Sequence, residues 1–166
     1  EAVKIIASTL HPMAASTLAL EQQVLKIPIR PWPKPTDPWS PENVAYMGPS
    51  PLAYYTRSKK IWASRIRKES PVPVRVNVLR IADAVICTNP AELFVEFGLE
   101  MRSASPAKVT MISQLTDGYV GYVPTAKAFS RGGYETWNAP SSQLRQDAGP
   151  RIVEATGKML DEVFKR

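Results

Sequence analysis

The strongest constraint on the fold is a succession of short apolar runs between positions 72 and 115. Val72 to Ile81 alternates valines with Arg75 and Asn77, as a half-buried strand does, and a tight turn at Ala82-Asp83 follows. Ala84 to Cys87 and Lys108 to Leu115 are two further runs of strand length. These runs therefore predict three strands, the first two joined by a hairpin.

A helix is expected between the second and third runs. Asn89 is a favourable N-cap and Pro90 suits the first helical position, so this pair predicts the helix start. Ser103 to Pro106 ends the pattern. The apolar face of the helix would consist of Leu93, Phe94, Phe97 and Met101.

The remaining segments predict helices around one further strand. Thr17 to Ile29 alternates imperfectly, and its polar centre places it near a sheet edge. Leu52 to Lys68 and Thr125 to Ser130 have helical patterns, and Glu1 to Leu10 is typical of a helix end. The clearest helix follows Asp147, with an apolar stripe of Ile152, Val153, Thr156, Met159, Leu160 and Val163. Alternating strands and helices predict an α/β class with a mixed sheet and flanking helices.

The segment from Pro31 to Pro51 is expected to be irregular. It holds seven prolines, which lack the amide donor and fix φ, so neither regular helix nor central strand fits. Its two tryptophans, Trp32 and Trp39, indicate that it packs on a surface instead of floating as a linker. With 166 residues, 44% of them hydrophobic and 22% charged, positions 1–166 suit one domain or part of a larger α/β catalytic domain.

The composition excludes several kinds of structure and site. No apolar run approaches the roughly 18 to 20 residues of a membrane span. Glu1 opens the chain with an acid where a secretory leader would be basic, although a mature protein or an internal fragment would look the same. Cys87 is the only cysteine, so an internal disulfide and a cysteine zinc cluster are both excluded. Because it lies in an apolar run, we expect a buried structural thiol.

The net charge of +6 is concentrated in one place. Six cations fall between positions 57 and 68 with no acid among them: Arg57, Lys59, Lys60, Arg65, Arg67 and Lys68. Such a patch can favour an anionic lipid surface or nucleic acid, or it can simply be a solvated helix face. No nucleic-acid reading motif accompanies it, so we expect no nucleic-acid partner.

Glu92 is the first candidate for chemistry, and two interpretations of it stand. Three residues after Asn89, it could turn back onto the cap amide in a capping box. The other interpretation, a metal ligand, is implied only by the family resemblance that follows. Tyr119, Tyr122 and Tyr134 form a second set, in which each tyrosine could be packing or could present its hydroxyl to a site.

These residues belong to a wider pattern that resembles a known family. The pattern is Asn89-Pro90-Ala91-Glu92-Leu93-Phe94, then Asp117-Gly118-Tyr119-Val120-Gly121-Tyr122-Val123-Pro124-Thr125, then Gly132-Gly133-Tyr134-Glu135. It is similar to the later part of the catalytic domain of the neutral/alkaline non-lysosomal ceramidases. The resemblance is specific over Ile81 to Lys165 and weaker over Leu18 to Arg30.

The resemblance implies a zinc amidase and gives three residues a role. It implies that Glu92 and Tyr122 bind zinc, and that Tyr134, twelve residues after Tyr122, helps to hold the oxyanion formed when an amide carbonyl is attacked. Zinc accepts carboxylate oxygen, and a phenol can donate to a developing alkoxide. The sequence departs from the family pattern at Ala91, where the family has glycine, and at Asp117, where it usually has asparagine.

The resemblance also implies what this segment lacks. The family's zinc is held by two further histidines and its nucleophile is a serine, all upstream of the matched segment. His11, the one histidine here, is a poor candidate for a ligand. The expected partners are therefore an upstream part of the same protein or a separate complementing chain, a lipid amide such as ceramide, and an anionic membrane surface. The implied location is secreted or membrane-associated. Alone, the chain should bind zinc weakly and catalyse nothing; the alternative is a non-catalytic binding or structural module.

Overall fold

The computed structural model describes residues 17–38, 40 and 49–165. Six strands, four α-helices and one short 3-10 helix form in these ranges. Their bounds are β1 Leu18–Ile27, α1 Pro49–Glu69, β2 Val72–Ile81, β3 Ala84–Thr88, β4 Ala91–Leu93, α2 Val95–Ala104, β5 Val109–Ser113, β6 Gly121–Val123, α3 Ala126–Arg131, the 3-10 helix Tyr134–Thr136 and α4 Ala148–Lys165.

The strands form two sheets. The larger sheet has the order β1-β2-β3-β5, with β1 and β3 antiparallel to β2, and β5 parallel to β3. The parallel pair requires a crossover, which β4 and α2 provide. The smaller sheet is the parallel pair β4 and β6. The expected α/β class with a mixed sheet and flanking helices is confirmed, and β1 lies at the predicted edge.

One face of the larger sheet, which we call the inner face, is closed by helix α4. The central valines Val74, Val76 and Val78 are fully buried there, as the alternation of β2 predicts. Helix α4 packs against β1, β2 and α2. Its predicted stripe is confirmed, since all its members except the half-buried Val153 are buried. The close approach of α4 to α2 depends on Gly149, where an added Cβ would lie 2.2 Å from the Phe97 ring.

Helix α1 is held to the domain by Trp62. This side chain is buried and its Nε1 donates to the carbonyl oxygen of Arg30 at 2.9 Å. Trp32 lies edge-on to Trp62, with 6.4 Å between ring centroids. Trp32 therefore packs on a surface, as expected, although the irregular segment ends earlier than predicted because α1 begins at Pro49.

The predicted helix start at Asn89 and Pro90 is wrong. The chain continues there as strand β4, and α2 begins only at Val95. The Asn89 side chain accepts from the Ala91 amide at 3.1 Å, while the Asn89 amide donates to Ser113, so this residue shapes a turn between two strands. The capping-box interpretation of Glu92 is wrong for the same reason.

Several expectations lie outside the described residues. These are the helix end at Glu1 to Leu10, the role of His11 and the packing of Trp39. Within the described ranges, no helix is both long and apolar enough to cross a membrane.

Candidate functional site

The smaller sheet places Glu92 beside Tyr122. The two residues are Cα partners in the parallel register of β4 and β6. Their neighbours Ala91, Leu93 and Val123 are buried. Since successive side chains of a strand point to opposite faces, the same pleat that buries these neighbours turns Glu92 and Tyr122 outward together.

Gly121 fixes the position of Tyr122. Its φ of +79° lies in the region that favours glycine, and an added Cβ would lie 2.3 Å from the carbonyl oxygen of Ser141. This close approach lets the Tyr122 amide donate to the same oxygen at 2.7 Å. The smaller sheet is therefore anchored to the 139–142 segment through backbone contacts.

The loop before β6 brings Tyr119 onto Glu92. The Tyr119 hydroxyl donates to Oε1 of Glu92 at 2.9 Å. Asp117 has a φ of +60°, a conformation that aspartate tolerates, and its Oδ2 accepts from Nδ2 of Asn77 at 3.1 Å. Aspartate at this position therefore ties the loop to strand β2.

Tyr134 reaches the same place from the 3-10 helix. Its ring meets the Tyr122 ring edge-on, with 5.6 Å between centroids and an angle of 84° between planes. The turn that carries it begins at Gly133, where φ is +118°. The structure thus brings together the three residues that the sequence singled out, Glu92, Tyr122 and Tyr134.

Two phenols of this cluster, Tyr119 and Tyr122, have a raised pKa and retain their protons at neutral pH. Hydrogen bonding to Tyr134, and next to Glu92, raises the pKa of Tyr122 well above its ordinary value of 10.0. Partial burial, followed by the hydrogen bond to Glu92, raises the pKa of Tyr119. A carboxylate that accepts from a phenol favours the protonated phenol. The cluster is therefore one acceptor carboxylate surrounded by hydroxyl donors.

Known structures share this fold. The crystal structure of neutral ceramidase from Pseudomonas aeruginosa aligns with 90% of this chain, with a TM-score of 0.58 and 15% identity. A ceramidase complexed with C2 aligns with 89% of it, with a TM-score of 0.56 and 15% identity. The chain has the fold of part of a neutral ceramidase. At this identity the likeness shows the fold alone, and at that level the resemblance seen in the sequence is confirmed.

The matched region is only part of each ceramidase. This chain spans 29% and 30% of the lengths of those two proteins. No protein-family model matches the sequence, and no curated protein matches it either.

The residues in the cluster fit part of a zinc site. Zinc in proteins is usually four-coordinate and binds carboxylate oxygen, so Glu92 is a suitable donor and Tyr122 lies next to it. In residues 17–38, 40 and 49–165, no group of three or more His, Cys, Asp or Glu side chains is arranged to hold a metal ion. Glu92 and Tyr122 carry two oxygen donors, fewer than the four ligands of a tetrahedral zinc site.

Sequence reasoning missed two residues that support the cluster, Gln114 and Arg30. It places Tyr119 in a set of tyrosines but does not predict its bond to Glu92, which depends on the β4–β6 register. Gln114 clamps β4, accepting from the Leu93 amide at 2.7 Å and donating to the Leu93 carbonyl at 2.9 Å. Arg30 is buried, and its Nη2 donates to the carbonyl oxygen of Thr136 at 2.7 Å, which steadies the turn that carries Tyr134. The only sequence signal for Arg30 is that a charged residue stands at the end of an apolar strand pattern.

Proposed function

We propose that this chain supplies Glu92, Tyr122 and Tyr134 to a ceramidase-like zinc amidase. The complete enzyme would hydrolyse the N-acyl bond of ceramide or a related lipid amide, with the remaining site residues supplied by polypeptide outside these 166 residues. The observation that carries the proposal is the register of β4 and β6, which sets Glu92 beside Tyr122 while the Tyr134 ring contacts Tyr122.

Glu92 and Tyr122 would hold the zinc ion. When bound, zinc polarises the amide carbonyl and stabilises the charge that develops on its oxygen. Tyr119 is a positioning residue, because its hydroxyl fixes Oε1 of Glu92 and so orients the carboxylate. Tyr134 would donate its hydroxyl to the developing oxyanion.

Tyr122 would hold zinc as a phenolate. The pKa of this phenol is raised, so the proton is present at neutral pH and would have to leave before the oxygen could serve as a ligand. Because protons compete with zinc for the Tyr122 oxygen, zinc affinity should increase as the pH rises from 6 to 9.

A lipid amide is supported by the surroundings of Tyr119. A cavity of about 310 Å³ adjoins this residue. Most of its lining is apolar, with Arg75 and Asp117 as the charged members, and the apolar lining residues are Val24, Val72, Pro73, Pro90 and Val120. Ligand pockets for apolar compounds commonly combine such walls with a few polar groups.

The zinc assignment is tested by measuring the metal content and zinc affinity of the full-length natural protein. We expect Glu92→Ala to abolish stoichiometric zinc, and Tyr119→Phe to weaken binding roughly tenfold through lost orientation of Glu92. Glu96→Ala is the matched control, since Glu96 is an exposed carboxylate four residues away. Unchanged zinc content in Glu92→Ala would refute the ligand assignment.

An anionic membrane surface is the partner we propose for helix α1. At 100° per residue, the exposed side chains of Arg57, Lys60, Ile61, Arg67 and Lys68 lie within about 120° of arc, on the side opposite the buried Trp62. Glu69, the acid of this helix, pairs instead with Arg65. Cations with one exposed isoleucine suit a lipid headgroup layer.

Vesicle co-sedimentation tests this partner. Phosphatidylserine-containing vesicles should bind the protein, and Lys60→Ser with Arg67→Ser should weaken binding roughly 25-fold, since each cation near an anionic surface contributes about fivefold. The control pair is Lys127→Ser with Arg131→Ser, which removes the same charge from α3. Equal loss in both pairs would indicate an effect of net charge and would contradict a specific surface on α1.

The second candidate is a non-catalytic binding or structural module. The exposed apolar residues Leu18, Leu20, Val109 and Met111 favour it, because they suit a chain that serves by docking. A stable full-length protein without zinc, in which Glu92→Ala changes no property, would favour this function over the amidase.

A further inference from the structure

Another cavity lies beyond the end of β1 and shares no lining residue with the candidate site. The segments that follow β1 and precede α4 are joined by an antiparallel bridge between Ile29 and Leu144. Beyond this bridge, a cavity of about 420 Å³ is lined by residues 30–34 and 37 of the first segment and 145–147 of the second. This volume lies within the roughly 300–1,000 Å³ of small-molecule pockets.

Both walls of this cavity are fixed by hydrogen bonds. The Arg145 amide donates to the Pro28 carbonyl oxygen at 3.1 Å, and the Arg145 carbonyl oxygen accepts from the Ala148 amide at 3.0 Å, where α4 begins. In the other wall, the Lys34 amide donates to Oδ2 of Asp37 at 2.8 Å, and the Asp37 amide donates to the Lys34 carbonyl oxygen at 2.9 Å. A pocket with fixed walls loses little conformational freedom when it binds a ligand.

Trp32 gives the cavity a flat apolar surface. This side chain is half-buried, and its ring lies edge-on to the buried Trp62. Pro31 and Pro33 line the cavity on either side of it, and they restrict the backbone between them because proline fixes its own φ and limits the residue before it. An indole ring held in this way is a platform on which another ring can stack.

The charged groups that line the cavity balance one another. Lys34 and Arg145 supply two cations, and Asp37 and Asp147 supply two carboxylates. Nε of Arg145 lies 3.4 Å from Oδ1 of Asp147. The guanidinium of Arg30, which also lines the cavity, donates to four oxygen atoms in the protein interior. An anionic ligand would meet two carboxylates and a cationic ligand two cations, so the lining favours a neutral ligand.

Hydroxyl groups match this lining because each of them both donates and accepts a hydrogen bond. The carboxylates of the lining accept, the cations donate, and the exposed amide of Gln146 does both. A purely apolar ligand would remove water from these groups without replacing their hydrogen bonds. A pyranose sugar has hydroxyl groups around its edge and C–H groups on its ring faces, which can lie on the Trp32 ring.

We propose that this cavity binds a neutral sugar ring, which stacks on Trp32 and forms hydrogen bonds with Gln146 and Asp147. The proposal does not rest on the zinc site, because Glu92 and Tyr122 do not line the cavity. Glu92→Ala should therefore leave sugar binding unchanged, and each of the two proposals can fail without the other.

Saturation-transfer NMR with the full-length natural protein tests the proposal. The probes are neutral oligosaccharides of glucose, galactose, mannose and N-acetylglucosamine at millimolar concentration. We expect at least one of them to receive saturation, with an affinity that does not change as salt is added, since a neutral ligand has no charge to screen. Absence of transfer to every probe would overturn the proposal.

Variants locate the sugar within the cavity. Trp32→Ala should weaken binding by about tenfold or more because the platform is lost, whereas Trp32→Phe keeps an aromatic ring and should weaken it by about threefold or less. Gln146→Ala should weaken binding about fivefold through one lost hydrogen bond. Gln23→Ala is the matched control, since it removes an exposed amide of β1 outside this cavity. Equal affinities in Gln146→Ala and Gln23→Ala would contradict the site. If circular dichroism shows that Trp32→Ala is unfolded, Trp32→Phe and Gln146→Ala decide the outcome.

Two further probes separate the alternatives. Inorganic phosphate that binds in place of the sugars, more weakly as salt is added, would assign the cavity to an anion and overturn the proposal. Phosphatidylcholine vesicles with and without lactosyl diacylglycerol distinguish a sugar on a lipid from a free oligosaccharide. Binding only to the lactosyl vesicles, with the same loss in Gln146→Ala, would uphold the sugar site and identify a lipid headgroup as its source.

Discussion

The inner face of the larger sheet and the β4–β6 pair are stabilised in different ways. On the inner face, aliphatic side chains of β1, β2 and β3 are buried in one cluster with side chains of α4. The smaller sheet has three residues in each strand and is positioned by backbone contacts, positive φ angles and the Gln114 clamp. Its exposed side consists of polar hydroxyl and carboxylate groups.

This difference shows how the chain separates stability from its candidate chemistry. Burial is non-directional, so the inner face should tolerate changes that conserve volume. The geometry of Glu92 and Tyr122 depends on contacts between individual atoms. The smaller sheet should therefore not tolerate even one added methyl group at Gly121. The three predictions that follow test this contrast.

Truncation in the inner region should have the largest effect. Ile152→Ala removes a fully buried side chain from α4 and leaves a cavity against the sheet. We expect the free energy of unfolding to fall by about 3 kcal/mol, measured by urea denaturation. Ile152→Val is the matched control and should cost about 1 kcal/mol. Equal losses in the two variants would show that packing volume does not control this region.

Gly121→Ala should destabilise the protein by about 2–3 kcal/mol through overpacking and an unfavourable φ. The added Cβ would collide with backbone at Ser141, which has no rotamer to change. Gly157→Ala in α4 is the control, because nothing lies within 4 Å of its Cβ and alanine favours helix, so it should be neutral or slightly stabilising. Chemical denaturation of both variants makes the comparison, and a neutral Gly121→Ala would contradict the backbone anchoring of β6.

Alkaline pH should weaken the inner region through Cys87. Burial raises the pKa of this thiol from 9.0 to about 11, so the folded state holds a proton that the unfolded state has lost between these values. The contribution is fully present below pH 9 and is lost as the pH rises to 11, by about 2–3 kcal/mol. Stability curves of Cys87→Ala should show a shallower decline than the wild type over this window. Parallel curves would show that the thiol is not responsible.

Much of the larger sheet could be predicted from the sequence. The alternation of Val72 to Ile81 gave the bounds of β2 correctly, and the stripe after Asp147 identified α4. Both elements bury a regular pattern against each other, and a periodic pattern is a local property of the sequence. The α/β class followed from their order along the chain.

The smaller sheet could not be predicted in this way. Asn89-Pro90 is locally a good helix start, but the chain from Ala91 to Leu93 pairs with a strand 30 residues later. A three-residue strand has too few positions to show a period, so tertiary pairing overrides local propensity there. Asn77 is a related case, since its burial on the outer side of β2 depends on bonds to Gln22, Thr88 and Asp117.

The sequence by itself determined the class of the fold, the edge position of β1, the buried state of Cys87 and the candidate residues Glu92, Tyr122 and Tyr134. Only the tertiary structure decided that these three meet and that Tyr119 holds Glu92. The physical reason is that the local periodicity of apolar residues predicts which side chains are buried. The geometry of a site depends instead on strand register and on backbone contacts between segments that are distant in the chain.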